Sequence, residues 1–182
     1  MMKKFYIGFC VLLLIYMIMP GPSKISDFQA LPKSDKSTLA GDNIEQVSNV
    51  AAYFSNNYRK AATSFYSKNY KNQTWLPFSP LRINHPPEFS WNVIKKHTDG
   101  TYLEEFVYPM RDSLYVNGFE PFYEDKTPKY WGAGLFGQNG HSWETKVTLR
   151  FFPSTIFVRL LVWFGTVISI LFLYRLGKRI IF

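Results

Sequence analysis

Cysteine is nearly absent from this sequence, and its single copy lies near the amino terminus. Of 182 residues only Cys10 is a cysteine, and it falls within an apolar run. A disulfide needs two cysteines, and a thiolate metal site needs several ligands at short spacing. Residues 21–153 therefore hold neither, and burial of apolar side chains has to stabilise any domain that they form.

Histidine is also scarce, and the usual catalytic signatures are missing. The three histidines are His85, His97 and His141, and no two of them lie at helical spacing. His141 and Glu144 fall in a strand-like pattern, where residues three apart point to opposite faces. The sequence contains no G-x-S-x-G, H-E-x-x-H or P-loop motif. We predict no catalytic residue, no metal ligand and no cofactor, although residues distant in sequence could still assemble a catalytic site.

An excess of basic residues is absent from the middle of the chain, despite a formal net charge of +8. Residues 21–153 hold 15 of the 21 basic residues and all 13 acidic ones, which leaves 15 − 13 = +2. The remaining basic residues are Lys3, Lys4, Arg159, Arg175, Lys178 and Arg179. Five of these six flank the apolar ends of the chain, as the positive-inside rule requires of cytoplasmic flanks. We therefore predict no nucleic-acid partner, because that role needs a basic patch on a folded domain.

Two long apolar runs stand at the ends of the chain. Residues 156–174 carry one charge, and nineteen helical residues reach about 28 Å, close to the thickness of a hydrocarbon core. We predict a transmembrane helix over 154–176 and a basic cytoplasmic tail over 177–182. Residues 1–21 form a second membrane segment, which is either a signal anchor or a cleaved signal peptide. The small residues before Lys24 would suit cleavage, whereas Pro20 and Pro22 would end a retained helix.

The region between these segments is predicted to lie outside the cytoplasm and to be an α+β domain. Residues 22–43 have the composition of a flexible linker. In the domain, over 44–153, apolar residues at spacings of three and four predict a helix over 57–69, with 44–54 its first half or a separate element. The proline-rich stretch 74–87 predicts an irregular strap, and 87–97 a short helix.

Three or four antiparallel strands should follow these helices. The alternation of 101–109 predicts a strand, and Asn117-Gly118 predicts a hairpin turn within 112–123. Strict alternation over 141–152 predicts a further strand, with Glu104 and Glu105 on opposite faces of an earlier one.

The glycine-rich stretch WGAGLFGQNGHSW, at 131–143, contains a G-x-G-x-x-G string. A dinucleotide site needs a strand before such a string and a helix after it. Here a proline lies shortly before it and a strand pattern follows. We predict a connection between strands and no nucleotide binding.

Aromatic residues are the abundant feature, at 19% of the chain. Several of them share the predicted loop 120–131, including Tyr123, Tyr130 and Trp131. They suit either packing in the core and at the membrane boundary or contact with a partner protein or a glycan. Arg159, near the outer end of the second apolar run, suits either a depth anchor or an ion pair with a partner's membrane segment.

Two segments carry a resemblance to known sequences. TYLEEFVYPMRDSLYVNGFEPF, at 101–122, and WETKVTLRFFPSTIFVRLLVWFG, at 143–165, resemble two-pass envelope membrane proteins of candidate-phyla-type bacteria, which have no assigned function. The resemblance implies two membrane segments with a domain between them, and it assigns no site residue.

These observations predict a non-enzymatic protein of the plasma membrane. Its outer domain would be held at the membrane surface to contact another envelope component, either a protein or a glycan. An extracytoplasmic sensor or ligand-binding module is the alternative, and an envelope enzyme is a third.

Overall fold

The computed structural model describes residues 2–42, 47–86, 88 and 99–181. The chain divides into two compact units. One contains Met1–Pro20 and Ser154–Phe182, and the other is Gly21–Pro153.

The Gly21–Pro153 unit is an α+β domain, as predicted. Its elements are a short 3-10 helix Ile25–Asp27, β1 Ser34–Lys36, β2 Val50–Ser55, helix α2 Arg59–Asn72, β3 Leu81–His85, β4 Thr101–Val107, β5 Ser113–Phe119, β6 Phe136–Gln138, β7 His141–Trp143 and β8 Thr145–Phe152. Six of the strands form an antiparallel sheet with the order β1-β2-β8-β5-β4-β3, and β6 and β7 form a second, two-stranded sheet. Helices α1, Met2–Ile18, and α3, Ile156–Ile181, belong to the other unit.

One face of the large sheet forms the core with α2. The antiparallel register places Glu104 and Phe106 of β4 on the same face as Leu149 and Phe151 of β8. Tyr70 of α2 packs edge to face with Phe151 and with Tyr108, at centroid distances of 6.1 and 5.1 Å. The alternation of buried and half-buried residues along β5 and β8 follows from this one-sided packing.

The segment 22–43 has the composition of a flexible linker, but its described residues, 22–42, pack on this core. Ile25, Phe28 and Leu31 are buried, and β1 pairs with β2. The Phe28 ring lies 5.1 Å from that of Phe151 and 5.5 Å from that of Tyr70. Three apolar residues at a spacing of three were enough to anchor the segment, although its average composition resembles that of a linker.

Helix α2 confirms the predicted helix over 57–69, but the residues before it form a strand. All residues of β2 are buried, so the strand lacks the alternation of apolar and polar residues that identifies a half-buried strand. Its continuous apolar residues therefore also fit the spacing of a helix. The earliest part of that prediction, at 44–46, lies outside the described residues. The helix predicted over 87–97 also lies outside them, apart from residue 88.

The strap predicted over 74–87 is regular in part. Strand β3 uses the interval that contains no proline, between Pro80 and Pro86, and pairs with β4. Within the described residues β3 pairs only with β4 and is therefore an edge strand. Edge strands tolerate prolines, because one side of the strand forms no ladder hydrogen bonds.

The hairpin predicted at Asn117-Gly118 is wrong, because β5 runs straight through both residues. The turn between β4 and β5 is at 108–112, where the Tyr108 N–H donates to the Asp112 carbonyl at 3.0 Å. Gly118 meets a packing requirement instead. A Cβ there would lie 2.0 Å from the ring of Tyr102 on the neighbouring strand.

The strand predicted over 101–109 is confirmed as β4, whereas the one predicted over 141–152 is divided into β7 and β8 at Glu144. The large sheet also has more strands than the three or four predicted, and β1 and β2 precede α2.

The other unit is a pair of antiparallel helices. Residues Ile156–Ile180 of α3 form a 25-residue segment in which an 18-residue window has a mean hydropathy of 2.4, so the segment is long and apolar enough to cross a membrane. The apolar part of α1, Lys4–Ile18, is shorter than such a span. The Tyr6 hydroxyl donates to the Val167 carbonyl at 2.9 Å, and Trp163 Nε1 donates to the Cys10 carbonyl at 3.0 Å. These bonds fix the antiparallel register of the two helices.

Candidate ligand-binding cleft

The amino terminus of α2 is capped by a carboxylate from a distant loop. Tyr58 holds the N-cap position and makes no side-chain capping bond. The Glu120 carboxylate instead accepts a hydrogen bond from the Arg59 N–H and pairs with Lys129 Nζ at 2.8 Å. Glu120 reaches this place because its own N–H donates to the Gly100 carbonyl at 2.8 Å. This brings the loop that follows β5 over the start of α2.

A buried carboxylate next to this cap holds two arginines. Glu104 of β4 has no exposed surface. It accepts from Arg59 Nε at 2.8 Å, from Arg82 Nη2 at 2.7 Å, and from Arg82 Nε. Burial of a carboxylate is costly unless it is paired and hydrogen-bonded, as Glu104 is with both guanidinium groups. The hydrogen bond to Glu104 raises the pKa of the Arg82 guanidinium.

Polar and aromatic neighbours fix the orientation of both guanidinium groups. Arg59 Nη2 donates to Asn84 Oδ1 at 2.7 Å, and Arg82 Nη2 lies 3.4 Å from Thr63 Oγ1. The Arg59 guanidinium also lies over the ring of Tyr102, 5.1 Å from its centroid. Burial, followed by the nearby carboxylates of Glu120 and Glu104, raises the pKa of the Tyr102 hydroxyl. Tyr102 is therefore a neutral support beneath Arg59.

A second group of ionic contacts forms around the Tyr58 hydroxyl. The Tyr58 hydroxyl lies 2.9 Å from two acceptors, Glu144 Oε2 and the Tyr123 carbonyl oxygen, which share its single proton. Lys126 Nζ also pairs with Glu144 Oε2 and lies 5.6 Å from the centroid of the Tyr58 ring. Lys126, with Tyr58 adding to its effect, holds the pKa of the Glu144 carboxyl below its usual range. Partial burial and Glu144 raise the pKa of Tyr58.

These groups surround an open cleft of about 780 Å³. This volume lies in the range of small-molecule sites. Its lining residues come from the start of α2, from β3 and from the loop after β5. They are Tyr58, Arg59, Lys60, Arg82, Glu120, Tyr123, Glu124, Asp125, Thr127 and Lys129.

The structure separates the residues that the sequence grouped as possible partner contacts. Tyr123 lines the cleft, is 54% exposed, and lies under Lys129 Nζ at 5.3 Å. Tyr130 stacks on Phe119, with centroids 6.2 Å apart, and is half-buried. Trp131 is 100% exposed.

Arg159 belongs to the helical unit rather than to the cleft. Its Nε donates to Ser154 Oγ at 2.7 Å, and its Nη1 lies 3.4 Å from the Met19 carbonyl. These contacts place the guanidinium at the first turn of α3.

Other acidic and histidine residues from the sequence analysis are dispersed. Glu104 and Glu105 point to opposite faces, as predicted, and Glu105 pairs with His85 Nε2 at 2.8 Å. His141 lies 3.5 Å from Asp35, whereas Glu144 pairs with Lys126. Among the described residues, no group of three or more histidine, cysteine or acidic side chains could hold a metal ion. The glycine string leads into β6, a strand rather than a helix.

Sequence patterns assigned no role in a site to Arg59, Arg82 or Glu104. A signal for Glu104 was present, because it alternates with Tyr102 and Phe106 on the apolar side of a predicted strand. No comparable signal marked its arginine partners, which are 45 and 22 residues away in sequence.

Comparison with known proteins adds no relative: no protein-family model matches this sequence, and no curated protein or solved structure is significantly similar to it.

Proposed function

We propose that this is a non-enzymatic, membrane-anchored protein of the cell envelope, with two membrane helices and an outer domain that binds another envelope component. The observation that carries the binding role is the complete exposure of Trp131 in an aromatic loop of the Gly21–Pro153 unit. Leu135 and Tyr123, on the same stretch of chain, are also more than half exposed. Exposed tryptophan and tyrosine are typical of the residues that dominate binding interfaces.

The charges at the chain ends support the anchor and its orientation. Lys178 and Arg179 lie in the last turn of α3, and Lys4 is the first residue of the apolar part of α1. Basic residues at both ends favour cytoplasmic termini. The Gly21–Pro153 unit would then lie on the outer side.

The hydrogen bonds between α1 and α3 support retention of α1. An indole N–H without a partner is costly in hydrocarbon, and Trp163 finds its acceptor on α1. Tyr6 makes a corresponding bond in the opposite direction. Cleavage of α1 as a signal peptide would leave the Trp163 N–H without this acceptor.

The short connection between β8 and α3 supports the proposal that the domain is held near the membrane. Only residues 153–155 separate the end of β8 from the start of α3. Three extended residues span about 10 Å. The domain would therefore have little freedom to leave the membrane surface.

The binding role can be tested by placing a photo-reactive phenylalanine analogue at Trp131 in membranes of the native host. Trp75, which is 77% exposed in the same unit, is the matched control position. We expect a discrete crosslinked product from position 131, and its loss when Tyr123 is also replaced by alanine. Identical products from positions 131 and 75, or none from either, would contradict the proposal.

The cleft favours a second candidate function, a ligand-binding or sensory module. Its volume of about 780 Å³ and its fixed arginines suit a small polar molecule. In this case the purified full-length chain should bind a small molecule without a protein partner.

A further inference from the structure

We infer that the cleft contains a subsite for an oxyanion, the phosphate or carboxylate group of a small ligand, formed by the guanidinium groups of Arg59 and Arg82 with Lys60 at the same mouth. The inference rests on the ligand-binding candidate and names its chemistry.

Both arginines are already held in one geometry. Glu104 has no exposed surface and bonds to both guanidinium groups, while Asn84 orients Arg59. An arginine fixed in this way loses little side-chain entropy when it binds an anion. The fixed pair is therefore preorganised rather than flexible.

Part of each guanidinium group is unused. Neither Nη1 forms a hydrogen bond with any residue that the structure describes, although Nε and Nη2 of both arginines do. The side chains of Arg59 and Arg82 are 40% and 53% exposed, and both line the cleft. Planar N–H donors of this kind match the oxygens of a phosphate or a carboxylate.

The charges leave this end of the cleft positive. Glu104 neutralises one of the two arginines, and Glu120 is neutralised by Lys129. Lys60 is exposed and makes no ion pair with a described residue. The arginine end thus carries a net charge of about +2 with Lys60 included.

The rest of the cleft restricts the ligand further. Glu124 and Asp125 also line it, so a polyanion would meet like charges there. Asp125 is held by the Thr127 N–H and hydroxyl at 3.0 and 2.6 Å. A molecule with one anionic group and several hydroxyls, such as a hexose phosphate or a hexuronate, fits this distribution.

The test is calorimetric titration of the full-length chain in detergent micelles. The probes are inorganic phosphate, glycerol phosphate, a hexose phosphate, a hexuronate and an uncharged hexose. We expect saturable binding of at least one anion and none of the uncharged hexose. The relative affinities of the glycerol phosphate and the hexose phosphate distinguish a lipid headgroup from a sugar as the source of the anion.

Three variants locate the binding. Arg82→Lys keeps the charge but loses the planar donors, and should weaken anion binding about tenfold. Lys60→Gln should weaken it about threefold with an unchanged melting temperature. Lys68→Gln, at another exposed lysine of α2, is the matched control and should leave binding unchanged.

If Arg82→Lys does not fold, Lys60→Gln against Lys68→Gln decides the question. Absence of binding by every anion, or equal binding by Lys60→Gln and Lys68→Gln, would overturn the inference and leave a purely structural ion-pair network. Crosslinking from Trp131 does not depend on this result, so the two proposals fail separately.

Discussion

At the scale of single residues, Glu104 places a fully buried carboxylate where the strand pattern calls for an apolar side chain. Its burial could be predicted from the alternation with Tyr102 and Phe106. Its partners could not, because Arg59 and Arg82 reach it only after α2 has packed on the sheet and β3 has paired with β4.

Replacing Glu104 by glutamine should lower the free energy of unfolding by about 1–3 kcal/mol, because two guanidinium groups lose their shared anion. The figure is moderate because water can reach both arginines, which are 40% and 53% exposed. The measurement is the urea midpoint of the full-length chain in micelles. Glu105→Gln, on the opposite face, is the control and should cost less. An equal cost at both positions would refute the role given to Glu104.

Gly118 provides a second test at this scale. Gly118→Ala should destabilise the domain by about 1–3 kcal/mol, because the added Cβ would overlap the buried Tyr102 ring at 2.0 Å. Gly137→Ala is the control, since nothing lies within 4 Å of a Cβ there. Thermal unfolding of both variants checks the difference, and equal melting temperatures would show that Tyr102 does not pack on Gly118.

At the scale of elements, sequence patterns predicted those that bury one face, such as α2, β4 and β8. They failed for β2, which is buried throughout and so lacks alternation. They also failed at Gly118, a residue type common in turns, which here lies within β5 and leaves room for the Tyr102 ring. Helix α1 is a third case, because its apolar run alone cannot distinguish an anchor from a signal peptide, whereas its hydrogen bonds to α3 favour an anchor.

The pairing of α1 with α3 predicts a specific effect of Trp163→Phe. This change keeps an aromatic ring but removes the N–H that donates to Cys10, at a cost of about 0.5–1.5 kcal/mol. Unfolding by sodium dodecyl sulfate in mixed micelles measures it. Phe164→Leu, at an exposed neighbouring position, is the control. A Trp163→Phe chain as stable as the wild type would argue against the helix pair.

At the scale of the whole molecule, buried tyrosines should make the stability of the Gly21–Pro153 unit depend on pH in the alkaline range. Burial raises the pKa of Tyr66 and Tyr102, and burial with Glu144 raises that of Tyr58. A tyrosine whose pKa is raised in the folded state stabilises that state fully at pH values below its unfolded pKa of 10.0. This stabilisation is lost as the pH rises above 10.0, because the unfolded chain then ionises first. These hydroxyls should therefore ionise together with unfolding.

The corresponding measurement follows tyrosinate absorbance and circular dichroism from pH 8 to about pH 13. We expect part of the tyrosine absorbance to appear in one step that coincides with loss of the β-sheet signal. Complete ionisation near pH 10 with the fold intact would show that these tyrosines are accessible to solvent.

The most direct test of the account asks on which side of the membrane each part of the chain lies. In a Cys10→Ser background, single cysteines at Lys4, Lys68 and Lys178 would be exposed to a membrane-impermeant maleimide in sealed cells. The account predicts labelling of position 68 in intact cells, and of positions 4 and 178 only after permeabilisation. Protection of position 68, or labelling of position 178 in sealed cells, would contradict it.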